Sequence, residues 1–202
     1  MMKQQGDKTI GDLWHQMDLH VHTPISAETK YGNRESDSTW EAFFSALRDL
    51  GPAVSILGIN DYWSVEGYRR VREEFQKGKL PDVQLLLPVV ELRLTDVLRN
   101  GKRQNYHVCF SDAVPIEVIE NEFLGKLTSS YRYSDGSRVP YSYTTHGLTE
   151  LGRRLVDEKT VVASSGNPSD AELLKIGQKA FAVDRDQVHE LLRQEWFQNR
   201  TL

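Results

Sequence analysis

Met17-Asp18-Leu19-His20-Val21-His22-Thr23-Pro24 is the stretch on which the reading of this chain turns. As a strand it alternates, so Asp18, His20 and His22 are expected on one side, with Leu19 and Val21 on the other. The first side then offers two imidazoles and a carboxylate within about 7 Å, two strand steps, which suits Zn²⁺, Mn²⁺ or Fe²⁺. The second side is core. Pro24 lacks the N–H that a central ladder needs, which puts the histidines at the strand's end. Taken alone, the pattern also fits ordinary polar positions on a half-exposed strand. The rest of the chain decides between the two.

Working outward, a polar loop over 26–37 leads to Ser38-Thr39-Trp40-Glu41, which has the spacing of a capping box. Trp40, Phe43, Phe44, Leu47 and Leu50 follow at helical spacing, and Gly51-Pro52 ends the helix. Residues 53–59 read as a short buried strand that runs into Asn60-Asp61-Tyr62-Trp63. Ser64 caps a second helix with Tyr68, Val71 and Phe75 on its apolar face and Gly78 at its stop. A third strand is expected over 84–94, carrying Glu91. After the polar turn at Asn100-Gly101 comes a fourth over 105–110, carrying His107, and then a helix over 115–127.

Strand and helix in alternation argue for a parallel sheet with helical crossovers. With His20, His22, Asp61, Glu91 and His107 at or near successive strand ends, a barrel that gathers a site at one rim is expected over an open sheet. Residues 129–143 interrupt the alternation. Tyr131, Tyr133, Tyr141 and Tyr143 interleave with Arg132 and Arg138 around the turn signal Asp135-Gly136. A hairpin with packed tyrosines is the plainer expectation, and stacking of single-stranded bases the alternative. From 148 to 202 two similar segments each read as a helix feeding a strand, the first strand being Val161-Val162-Ala163-Ser164. The second copy stops at Leu202, where its strand is due, so the barrel is expected to be incomplete there. His15 and His189 read as surface residues, and His146 has no assignment.

Length and composition bound the rest. With 202 residues, 39% hydrophobic and 27% charged, the chain suits one globular domain: a lead-in over 1–16, motif-bearing units over 17–127, an insertion over 128–147 and further units to 202. Cys109 is the one cysteine, which excludes an intrachain disulfide and a Cys-rich zinc site. Any metal must be held by His and carboxylate. No apolar run is long enough to cross a bilayer and no signal-peptide core precedes the first strand, so a cytoplasmic protein without membrane partners is expected. A net charge of −4 argues against coating nucleic acid through bulk electrostatics.

With these motifs in place, the sequence resembles the PHP (polymerase and histidinol phosphatase) family of metal-dependent phosphoesterases. Asp18-Leu19-His20-Val21-His22-Thr23 is similar to the family's opening motif and Leu57-Gly58-Ile59-Asn60-Asp61 to its second. Pro88-Val89-Val90-Glu91-Leu92 resembles the element that supplies a bridging glutamate, and Asn105-Tyr106-His107-Val108 the next histidine motif. The variant Asn60-Asp61-Tyr62-Trp63 looks most like the branch fused to AAA or SMC-like ATPases, associated with DNA repair or phage defence. Tyr62 stands where most members carry a histidine, and neither a later histidine motif nor a closing Asp-x-His pair is present.

The resemblance implies a distorted (β/α)7 barrel and two or three Mn, Zn or Fe ions held by His20, His22, Asp61, Glu91 and His107. Glu91 and Asp61 would carry catalysis, Glu91 as the bridge. Arg93, at the end of the third strand, and Lys102 and Arg103 beyond it are the expected substrate-phosphate contacts, with plain surface charge as the alternative account. Hydrolysis of phosphate esters in a nucleic-acid strand, in DNA repair or phage defence, is the expected function, in preference to a nucleotide or other small phosphate ester. A non-catalytic scaffold serving an associated ATPase is the competing one.

Overall fold

The computed structural model of the chain describes residues 15–26, 31, 33, 36–163 and 166–201. Expectations that fall on 1–14, Gly32, Ser164 or Leu202 lie outside them.

Strand β1 (Met17–Val21) is followed by helix α1 (Asp37–Asp49), strand β2 (Ile56–Tyr62), helix α2 (Glu66–Gln76) and the long strand β3 (Leu85–Val97). Up to here the alternation holds, and β1, β2 and β3 lie side by side in parallel. Helix α1 starts one residue before the expected capping box: Ser36 is its N-cap, without a side-chain bond, and the hydroxyls of Ser36 and Ser38 bond each other instead.

The next strand breaks the parallel pattern. β4 (Arg103–Cys109) pairs antiparallel to β3, with Glu91 opposite His107 and Arg93 opposite Asn105. Five residues join the two strands: Leu98 N donates to Lys102 O at 2.8 Å, and Gly101 takes φ +78°, a conformation that favours glycine. A link that short makes a hairpin, since a parallel return needs a dozen or more residues. The expected (β/α)7 barrel is therefore not formed. Among the described residues the main sheet has four strands in the order β1-β2-β3-β4, and it is mixed and open.

A short helical turn α3 (Ile116–Val118) runs into π and 3₁₀ turns over Ile119–Phe123 and Leu124–Lys126. Then β5 (Thr128–Arg132) and β6 (Arg138–Ser142) form the expected hairpin, with tyrosines packed: Tyr133 is buried and its hydroxyl donates to that of Tyr141. Helices α4 (Thr145–Asp157), α5 (Asp170–Ala180) and α6 (Arg185–Leu192) complete the order. The strand expected from Val161 is not formed over its described part, and Val162 is 92% exposed. α5 takes the place of a further strand by packing on α4. The tail still reaches the sheet through single bridges, Leu94 to Val183 and Phe110 to Thr201.

One hydrophobic cluster runs from Trp40 to Phe197 and joins both halves, as a single domain requires. Leu57, Ile59, Val90, Leu92 and Val108 lie on the face of the main sheet that belongs to this core. Fully burying each such side chain contributes about 1.5–3 kcal/mol. No described helix is long and apolar enough to cross a membrane.

Candidate metal centre

Strand alternation and register place the site. Tyr62 pairs with Glu91 and Asn60 with Val89 across β2 and β3, and Glu91 faces His107 across β3 and β4. Paired residues share a face, so Asn60, Tyr62, Glu91, Arg93, Asn105 and His107 lie on one side of the sheet. Asp61 pairs with Val90 and lies on the other.

β1 brings the histidines in through an irregularity. Asp18 pairs with Leu57 and Val21 with Ile59, so three steps on β1 match two on β2. The extra residue shifts the parity, and Asp18 falls with Val21, not with His22. The expected shared face of Asp18, His20 and His22 is thereby corrected. Asp18 instead accepts a hydrogen bond from the backbone N–H of His20 at 2.9 Å.

Three imidazoles meet one carboxylate. His22 Nε2 is 3.3 Å and His107 Nε2 3.6 Å from Glu91 Oε2. The ring of His20 lies 4.8 Å from that of His22 and 4.9 Å from that of His107, centroid to centroid. One ligand atom each from His20, His22 and Glu91 all fall within 4.8 Å of one another. Two ligand atoms about 2.1 Å from a common tetrahedral ion lie roughly 3.4 Å apart, which the 3.3 Å between His22 Nε2 and Glu91 Oε2 matches.

A second layer of side chains holds the cluster. Ser26 Oγ is 3.0 Å from His22 Nδ1, which turns Nε2 toward Glu91. Asn60 Nδ2 donates to Glu91 Oε2 at 3.1 Å and lies 3.3 Å from His20 Nδ1; its Oδ1 is buried without a protein partner. Asn105 Nδ2 donates to Glu91 Oε1 at 2.6 Å and to the Tyr62 hydroxyl at 3.0 Å. The Tyr62 ring stacks on His22 at 5.6 Å, with the Arg93 guanidinium 5.8 Å from the ring centre. Trp63, just beyond, takes φ +55° and donates its N–H to Glu91 O at 3.2 Å. A bulky residue in that conformation is strained, and packing against Tyr143 and Phe181 holds it.

The electrostatics follow. Burial pushes the Glu91 carboxyl up, but hydrogen bonds from His107 and Tyr62, the charge of His107 and the Asn60 amide outweigh it and hold the group at about 2. Burial lowers His20, against the pull of Glu91 and with help from His22 and His107. Near neutral pH the site therefore presents an anionic oxygen and, at His20, an uncharged imidazole with a lone pair. A metal needs that protonation state.

Asp61, expected as a ligand, serves a neighbouring loop. Its oxygens accept from Thr23 N at 2.9 Å and Thr23 Oγ1 at 2.8 Å, and burial raises its pKa despite those bonds. Gly67 of α2 packs so close that a Cβ there would sit 2.0 Å from Asp61 Oδ2. Asp61 thus ties the segment after β1 to the end of β2, with α2 packed against it.

The expected phosphate contacts are turned elsewhere. Arg93 donates to Lys179 O at 2.6 Å, and Arg103 to Ala180 O at 2.7 Å and Tyr131 Oη at 2.8 Å. Both arginines cap the carbonyl end of α5, where cations are favoured. Lys102 lies in the exposed β3–β4 turn. Asn60 and Asn105 were missed as site residues by sequence reasoning, and Tyr62 was read only as a departure from a family histidine. Their signal was the alternation itself, since Asn60 and Tyr62 flank Asp61 and Asn105 lies two residues before His107.

Compared with known protein families, with curated proteins and with solved structures, the chain matches none of them.

Proposed function

We propose that this chain is a divalent-metal-dependent hydrolase of phosphate esters, the activity that its motif resemblance to the PHP family implies. The observation that carries the reading is the convergence of His20, His22 and His107 on a single buried, anionic carboxylate, Glu91. When bound, a divalent ion supplies a Lewis acid and a water whose pKa falls from about 15.7 toward about 7. The protein's own part is to keep Glu91 ionised, hold His22 through Ser26, and fix the carboxylate through Asn60 and Asn105.

Beside His20 and His22 a cavity of about 470 Å³ opens between β1 and α1, walled by Tyr31, Phe43 and Leu47. That volume suits a small organic ligand. With Arg93 and Arg103 engaged at α5, a small ester or single nucleotide is the favoured substrate over a polynucleotide.

The test is phosphate release from small phosphomonoesters by the purified chain in Mn²⁺, with and without chelator. Turnover that needs metal, and that falls at least ~100-fold in a His20→Ala, His22→Ala double variant, supports the reading. Turnover untouched by that variant rejects it. Metal binding without turnover favours the second reading, a scaffold working with an ATPase. The bonding of Tyr62 supports that alternative, because the phenol stacks on His22 and its hydroxyl accepts from Asn105, where the resembled family carries a histidine.

A further inference from the structure

We infer that the centre holds one metal ion per chain and not a bridged pair, an inference that rests on the metal-site reading above. A two-ion site sets its metals about 3.5–4 Å apart and needs a carboxylate able to reach both. Glu91 is the carboxylate at this centre, and its two oxygens are divided between different tasks. Oε1 is held by Asn105 Nδ2 at 2.6 Å, the same amide that bonds the Tyr62 hydroxyl. Oε2 alone faces His22 and His107, at 3.3 and 3.6 Å.

Asp61 cannot replace the missing bridge. Strand alternation puts it on the opposite face of the sheet from Glu91, and Thr23 engages both of its oxygens. Swinging it round would break both bonds and move it away from α2, which abuts it at Gly67. The described donors on the site's face are therefore three imidazoles and one carboxylate oxygen. Of these, His20, His22 and Glu91 come within 4.8 Å of one another, three donors for one ion with a fourth place left for water, and His107 by itself is too few for a second.

The experiment is metal counting on the purified full chain. The protein is loaded with excess Mn²⁺ and freed of unbound ion, then analysed by elemental mass spectrometry and by electron paramagnetic resonance. The expected result is one ion per chain with the spectrum of an isolated Mn²⁺, and the same count of one in an Asp61→Asn variant, since Asp61 is not a ligand. Two or more ions per chain, or an exchange-coupled spectrum, overturns the inference while leaving the metal-site reading intact. No bound ion overturns both. If Asp61→Asn does not fold, the count and spectrum of the unaltered protein still decide the matter.

Discussion

Asp61 and Glu91 sit one register step apart on adjacent strands, each 1% exposed, yet on opposite faces of the same sheet. On the face toward α2, Asp61 has Thr23 and Ser26 for company, and burial raises its pKa. On the other face Glu91 is surrounded by His107, Tyr62 and Asn60, which hold it at about 2. Burial disfavours the charge at both, most at Asp61, and only at Glu91 do the neighbours supply enough hydrogen bonds and charge to outweigh it. One face stabilises a charge ready for a cation, whereas the other uses its carboxylate as a strut.

The sharpest way to break this contrast is Glu91→Gln. The amide keeps the shape but loses the anion, so Mn²⁺ affinity should fall by more than the roughly 100-fold that losing an outer partner costs. Titration calorimetry would show it, and a retained affinity would remove the centre. Next comes Leu57→Ala on the core face, where the side chain is fully buried. It should cost about 2–5 kcal/mol in urea unfolding, with the metal count per folded chain unchanged. A lost count would mean that the two faces are not separable.

The smallest effect is in the pH dependence, and it has opposite signs at the two sites. The lowered pKa of Glu91 gives a stabilising contribution that is complete above its ordinary 4.5 and is lost as pH falls toward 2. Asp61, raised from 3.8, contributes stability that is complete below that value and is lost as pH climbs through its folded pKa. In metal-free urea melts, Asp61→Asn should therefore gain on the unaltered protein as pH rises above about 4, and Glu91→Gln should gain on it as pH drops below about 4. Equal slopes for the two variants would show that the carboxylates are not set apart as described.

Local pattern carried much of this protein. The hydrophobic spacing at Trp40, Phe43, Phe44 and Leu47 marked α1, and Asp135-Gly136 marked the β5–β6 hairpin. The His-x-His pair, Glu91 and His107 were legible as candidate ligands because imidazole and carboxylate at strand positions are chemically conspicuous. Asn100-Gly101 carried the same hairpin signal as Asp135-Gly136, and reading it as a plain turn between parallel strands is what led to a barrel.

By itself, then, the sequence determined which residues are candidates to bind a metal and where most of the helices and strands up to β4 lie, since both follow from side-chain type and short-range spacing. Tertiary structure decided the rest: that β4 runs back along β3 and sets His107 opposite Glu91, that one extra residue in β1 parts Asp18 from His22, and that Asp61 faces away from the cluster. Those outcomes depend on strand register. A shift of one residue turns a side chain to the other face of a sheet, and register is set by contacts between segments that lie far apart along the chain.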